Sequence, residues 1–307
     1  MKKILIPVLL LNVLITSAQL TLQEKLGYSK DARLLIIHAD DLGVSHSENE
    51  ASIYAMENGS VNSASIMVPC PWFPEIAAYA RTHPKADLGL HLTLTSEWKY
   101  FKWGPVASKE KVRGIVNKSG FLFETVDSLQ LNGKPVEVEK ELRAQIERAK
   151  QFGIDVTHFD SHMGSLFGKA EYLKVLIKLG REYKVPVLLS KPAMRFAFNL
   201  NLDSFINAKD IVLDMIYTAN PQDYNNGMEN YYSGVLKSIQ PGVSIILLHA
   251  AYDDREMQGI TVDHPEWGAA WRQADFNFFT SENCKKLLKE QHIHLITWRE
   301  IRDKLLR

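Results

Sequence analysis

Residues 34–43 read L-L-I-I-H-A-D-D-L-G. Leu34, Leu35, Ile36 and Ile37 are apolar on both parities, the pattern of a strand covered on its two faces, and the run ends on adjacent carboxylates at a glycine turn. Comparable short apolar runs recur at Leu34 to Ala39, Ala64 to Val68, Leu88 to Leu94, Val156 to Phe159, Pro186 to Leu189, Val243 to Leu248 and His294 to Thr297. Helical patterns lie between them. Ser47 with Glu50 reads as a capping box ahead of a helix that stops at Gly59, and Pro74 stands near the start of a helix over Phe73 to Arg81. Val138, Leu142, Ile146 and Ala149 form one stripe of a longer helix from Val138 to Phe152, closed by Gly153. About seven buried strands alternating with helices predict an α/β fold, a (β/α) barrel or barrel-like parallel sheet. No Pro/Gly/Ser linker divides the chain, so residues 19–307 read as one domain. The stretch around 95–135 carries no clear core element and reads as a rim insertion shaping substrate access.

The chain has 307 residues, of which 46% are hydrophobic, enough to bury a large core and to set aside disorder and disulfide-stapled miniproteins. Its 36 Lys+Arg balance 36 Asp+Glu, which leaves no basic field for a phosphate backbone, so no nucleic-acid partner is expected. Lys2 and Lys3 precede an apolar run from Ile4 to Ile15 and the small residues Thr16, Ser17 and Ala18, the order of a secretory signal peptide. Residues 1–18 are expected to be removed near Ala18, giving an exported, periplasmic or secreted protein. The run is short of the roughly 20 residues a bilayer core needs, so no stable membrane anchor is expected. Cleavage would remove two lysines and no acid, leaving a slightly acidic chain. The two cysteines, Cys70 and Cys284, are too far apart in sequence to be paired by inspection.

The ten histidines divide by position. Neighbours on a strand point opposite ways, so a break in strand geometry at Asp40 and Asp41 would let one carboxylate bind a metal while the other addresses a water; a polar turn with Asp41 as a cap is the alternative. His91 interrupts the apolar G-L-H-L-T-L of Gly89 to Leu94, either as a ligand or as a satisfied core histidine. In T-H-F-D-S-H, Thr157 to His162, three ionisable residues, His158, Asp160 and His162, share one parity, which a core strand does not explain. His249 ends the strand S-I-I-L-L-H, as a site residue or a solvent-facing cap. Polar groups at the carboxyl ends of parallel strands converge on one face of a barrel. Asp40, Asp41, His91, His162 and His249 fit that rule, whereas His46, His83, His264, His292 and His294 lie in helix-start, loop or pre-strand contexts.

The motifs A-D-D-L-G (Ala39 to Gly43), N-G-S-V-N-S-A-S (Asn58 to Ser65), G-L-H-L-T-L, T-H-F-D-S-H and L-H-A-A-Y-D-D (Leu248 to Asp254) resemble, in order and spacing, the YdjC-like carbohydrate deacetylases, which include chitooligosaccharide deacetylases. The resemblance implies a barrel-type fold and metal-dependent hydrolysis of an N-acetyl group on a sugar or short oligosaccharide. It also implies Asp41, His91 and His162 as metal ligands, Asp40 as general base and His249 as general acid. His38, His158 and Asp160 remain for supporting or substrate contacts. One divalent metal ion is expected: two His and one Asp suit zinc, while a single carboxylate with waters also admits magnesium. Met163, Gly164 and Ser165 follow His162 where the family usually has further histidines, and Ala250 follows His249 where a proline is common. The alternatives are a metal-dependent hydrolase of another amide or ester, and a glycan-binding relative without turnover. Trp98, Tyr100, Phe101 and Trp103, like Trp267 and Trp271, would either stack on sugar rings or pack the rim onto the barrel.

Overall fold

A computed structural model describes residues 20–307; the expected signal peptide lies outside the described residues. Seven parallel strands form one sheet: β1 (Arg33–Leu42), β2 (Ser63–Ile66), β3 (Leu88–Leu92), β4 (Phe159–Ser161), β5 (Met215–Thr218), β6 (Gly242–Leu248) and β7 (Ile293–Leu295). Their order is β4-β3-β2-β1-β6-β5, with β7 pairing β1. β1 is the longest and is buried from Leu34 to Leu42, which is why its apolar run shows both parities. One edge of it pairs with β6 from Arg33 to Ala39; the other pairs first with β7, over Arg33 to Leu35, and then with β2 from His38 onward. The gap between β4 and β5 is crossed by single bridges, Phe159 with Val187 and Ser190 with Leu213, so the sheet curls into a half-barrel with helices around it. Leu34 and Ile36 pack with Val243, Ile245, Leu188 and Trp298, while Leu35, Ile37 and Ala39 face the helices. Burying each such Leu or Ile stabilises the fold by about 1.5–3 kcal/mol.

Three expectations shift. Pro186 to Leu189 is not a strand of its own but runs beside β4 through isolated bonds: Phe159 N–H donates to Pro186 O (3.0 Å) and Leu188 N–H to Phe159 O (2.9 Å). Proline's missing N–H limits the ladder there. The place in the sheet beside β6 is taken by β5, M-I-Y-T, whose partial exposure leaves no buried apolar signature. The helix after β1, His46–Asn58, is capped by Ser45, which accepts from Glu48 N–H (2.9 Å), rather than by Ser47, whose hydroxyl bonds Tyr252 O (3.0 Å). The stripe Val138, Leu142, Ile146 and Ala149 is buried as expected, on the helix Pro135–Gln151.

The stretch 95–135 has small elements of its own, including bridges Thr95–Phe123 and Val116–Leu122 and the helix Val126–Asn132. Trp98, Trp103, Val112, Ile115, Leu122 and Leu129 are buried there, so most of its apolar side chains pack it down, while Tyr100 is exposed. At the other end of the chain, the helix Trp298–Leu305 closes the barrel. The Asp87 carboxylate accepts from its first two backbone N–H groups, Trp298 and Arg299 (both 2.9 Å), and Trp298 stacks on His158 (5.1 Å between centroids). No helix among the described residues is long and apolar enough to cross a membrane. Cys70 and Cys284 are both buried and free.

Candidate metal centre

The β1–β2 register slips between Ala39 and Leu42, and Asp41 takes a left-handed φ of 69°. Strict alternation would send Asp40 and Asp41 to opposite faces; the bulge turns both into one cavity. Such a conformation in a non-glycine residue is costly and is sustained here by what surrounds it. Gly43 N–H donates to Asn49 Oδ1 (2.7 Å), tying the turn to the following helix. Arg272 Nη2 donates to Asp41 Oδ2 (2.8 Å), while its Nη1 engages Glu48 and its Nε donates to Trp267 O (2.7 Å). One guanidinium cannot neutralise two buried carboxylates. Against the effect of burial, Arg272, His162 and His249 hold Asp41 well below the usual carboxylate range, whereas burial pushes Glu48 well above it.

Asp41 Oδ1 is buried and has no hydrogen-bond partner. His91 Nε2 lies 3.4 Å from it and His162 Nδ1 3.3 Å. The far nitrogen of each imidazole is already held by a carboxylate: His91 Nδ1 by Asp160 Oδ1 (2.7 Å), His162 Nε2 by Glu97 Oε2 (3.0 Å). An orphaned carboxylate oxygen facing two imidazole nitrogens, each ring fixed from behind by an acid, is a donor set that fits a divalent metal ion. Burial works against charge on His162, but Glu97 and Asp41 outweigh it and raise it to about 10, so an entering cation would displace a proton.

Asp40 sits beside this set. Its Oδ1 accepts from Ser65 Oγ (2.9 Å) and lies 3.1 Å from His38 Nε2, while none of these groups engages its Oδ2. His38 also bonds Ser63 Oγ through Nδ1 (2.8 Å) and Asp160 Oδ2 through Nε2 (3.0 Å). Burial disfavours its charge, yet Asp160 and Asp40 raise it to about 10, making it the counter-ion behind both carboxylates. His158 is wholly buried behind His38, its ring edge-on to it at 4.8 Å. His38, His158 and Asp160 therefore make a layer behind Asp40 and His91. Two other potential ligand groups, His38 with His158 and Asp160 and Asp40 with His91 and Asp160, fall in this layer; in them both His38 nitrogens, both Asp160 oxygens, His91 Nδ1 and Asp40 Oδ1 are engaged with one another or with Ser63 and Ser65.

His249 follows β6 at the same end of the barrel, with Nε2 3.9 Å from Asp41 Oδ2 and its side chain 18% exposed. Its backbone N–H donates to Asp275 Oδ2 (3.0 Å). Burial, reinforced by the nearby Arg272 cation, lowers its imidazole to about 4.

A family model described as YdjC-like protein matches residues 34–290. The chain belongs to the YdjC-like family. Carbohydrate deacetylases of Thermus thermophilus and Thermoanaerobacter pseudethanolicus are each 27% identical to this YdjC-like chain, over 92% and 87% of it and 99% and 98% of their own lengths. Among solved structures, an Enterococcus faecalis protein named for cellobiose-phosphate cleavage superposes with a TM-score of 0.72 at 24% identity, covering 88% of this chain and 99% of that one; it bears on the fold alone.

The cavity of this YdjC-like chain measures about 1220 Å³. Asp40, Asp41, His91, His162 and His249 all line it, so the five strand-end residues singled out from sequence meet in space. Glu97, Arg272, Glu48 and Asp275 were not singled out; Glu97 holds His162, Arg272 with Glu48 behind it holds Asp41, and Asp275 holds the His249 backbone. None lies in a motif: Glu97 is in the rim stretch and Arg272 in the helix Ala269–Phe279, joined to Asp41 only by the fold. His264, placed among the uninvolved histidines, lines the cavity edge-on to Trp98 (5.1 Å). Met163, which follows His162, has φ 52° and is half-exposed at the cavity wall, placing an apolar thioether beside the candidate metal ligands.

Proposed function

We propose that this protein hydrolyses the acetamide of an N-acetylated sugar or short oligosaccharide, with one divalent ion, zinc or magnesium, held by Asp41, His91 and His162. The observation that carries the reading is the unpartnered Asp41 Oδ1 between two imidazole nitrogens, with a second carboxylate, Asp40, one residue away. When bound there, such an ion supplies Lewis acidity, lowering the pKa of a water and polarising an acyl oxygen.

Asp40 presents its free Oδ2 to accept a proton from the attacking water, while Ser65 and His38 fix its other oxygen and so its direction. The hydroxide oxygen bonds to the acyl carbon, the C–N bond breaks, and the nitrogen leaves with a proton from His249, giving acetate and a free amine. His249, neutral at rest, draws its proton from solvent through its exposed edge and, with so low an affinity for it, gives it up readily. Each transfer is worth about 10²- to 10⁴-fold. Trp267 and the aromatic rings of the helix Lys191–Phe198 offer apolar faces to a sugar.

The test is acetate release from N-acetylglucosamine oligomers with and without added divalent metal. Metal-dependent release that Asp40→Asn lowers by at least about 10²-fold supports the assignment; no release from any acetylated sugar by metal-loaded protein rejects it. The signal-peptide pattern supports export, so mass spectrometry of the protein from its producing cell should find Gln19 at the amino terminus; retention of Met1 in the mature pool rejects that part.

A further inference from the structure

The wall of the cavity beyond the metal set is as informative as the set itself. A sugar carrying a phosphate or carboxylate would bring its charge into a space partly closed to water, where an anion needs a paired cation. Among the described residues, the cavity lining includes no lysine and one arginine, Arg272. Its guanidinium is already spent on Asp41, Glu48 and the Trp267 carbonyl, and the side chain is 2% exposed. Of the cations next in sequence to lining residues, Lys99 is paired with Asp263 and Lys191 with Asp203, while Arg195 on the helix Lys191–Phe198 is exposed and not part of the lining. The outer wall instead holds two carboxylates, Asp223 and Glu266, and an apolar side formed by Met163, Phe167, Met194 and Phe198. Glu266 makes no ion pair among the described residues and is exposed at the mouth.

We infer that this site selects uncharged N-acetylated glycans and discriminates against their phosphorylated or uronic counterparts. The inference rests on the deacetylase reading above and adds the charge class of its substrate. The same two carboxylates would attract the ammonium group that the released amine becomes and repel acetate, which bears on the order of product release and leaves the overall equilibrium unchanged. The cavity's size points to more than one sugar ring, because about 1220 Å³ exceeds the roughly 300–1,000 Å³ of pockets that take a single drug-sized ligand.

The test compares an N-acetylglucosamine disaccharide with the same disaccharide bearing a 6-phosphate, on metal-loaded protein spanning residues 19–307, by acetate release and by calorimetric binding. The neutral sugar is expected to show kcat/KM higher by about tenfold or more, and Glu266→Lys with Asp223→Asn should narrow that ratio by about tenfold at low salt and less at high salt. Equal or faster turnover of the phosphorylated sugar overturns the inference and leaves the deacetylase reading standing. If neither sugar releases acetate, the deacetylase reading fails, and binding alone decides the inference. Tighter binding of the neutral sugar then upholds it, and equal, reversed or absent binding overturns it.

Discussion

Among the described residues Arg272 is the one positive side chain touching both Asp41 and Glu48, and replacing it by Met removes that charge while keeping most of the buried volume. At 2.8 Å from Asp41 Oδ2, the guanidinium contributes a gross attraction of about 6 kcal/mol at an effective dielectric constant of about 20. Protonation of the stranded carboxylates and local relaxation recover part of this. The expected net loss is the roughly 3–5 kcal/mol typical of breaking a buried ion pair from one side. That is a large fraction of the roughly 5–15 kcal/mol that holds a domain together, yet it leaves a folded protein to measure. Glu48→Gln should behave differently. Burial already drives Glu48 towards its neutral form, and glutamine keeps an oxygen for Nη1, so about 1 kcal/mol is expected. The assay is urea unfolding of the single and double variants in chelator, read as midpoint at constant slope. In the double variant only one carboxylate is stranded, and its loss should be smaller than the sum of the singles by about 1–2 kcal/mol. The reasoning fails if Arg272→Met lies within about 1 kcal/mol of wild type, or if Glu48→Gln costs as much as Arg272→Met.

Burial raises Asp275 to about 7, although His249 N–H and Tyr232 Oη–H both donate to it. The folded protein thus holds a proton that the unfolded chain releases near pH 4, a contribution fully present below that pH and lost as pH rises through about 7. Asp275→Asn should therefore raise the melting temperature at pH 8 and leave it nearly unchanged at pH 4; equal effects at both would contradict the assignment. Asp160→Asn removes the negative charge behind His91 and should weaken metal binding about 10- to 100-fold in a chelator competition. An unchanged affinity would show that Asp160 does not tune the ligand. A Cβ added at Gly89 would collide with the His158 ring, so Gly89→Ala should destabilise the fold by about 1–3 kcal/mol in the same urea assay, and a neutral result would mean the ring can move aside.

The parallel, helix-covered sheet was legible because β1 and β6 are buried along nearly their whole length and carry apolar residues on both parities. β5 was not, since M-I-Y-T is partly exposed and pairs along one edge only. The Ser47–Glu50 cap was misplaced for a local reason: S-H-S-E-N-E contains two overlapping boxes, and Ser47 is withdrawn from capping by the distant Tyr252, leaving Ser45 as the cap. At the site, Asp40, Asp41, His91, His162 and His249 stood out as polar residues at the ends of apolar runs. Arg272 and Glu97 did not, because an arginine in an amphipathic helix and a glutamate in a loop are ordinary until the fold buries them against Asp41 and His162. The left-handed Asp41 was foreseen only as a possible break; the residues that sustain it, Asn49 and Arg272, come from elsewhere in the chain.

The closing helix Trp298–Leu305 bears on the order in which the molecule is assembled. Its first two amides are tied to Asp87, more than two hundred positions upstream, and the adjoining β7 completes an edge of the first strand. Contacts of such sequence separation are slow to form, because the intervening chain must be closed into a loop before they repay its entropy. The floor under His158 is thus finished by a segment synthesised long after Asp87. A chain interrupted before Ile293 would lack that floor and leave an edge of the central strand open to other chains, so C-terminal truncation is expected to yield aggregates rather than a smaller working enzyme.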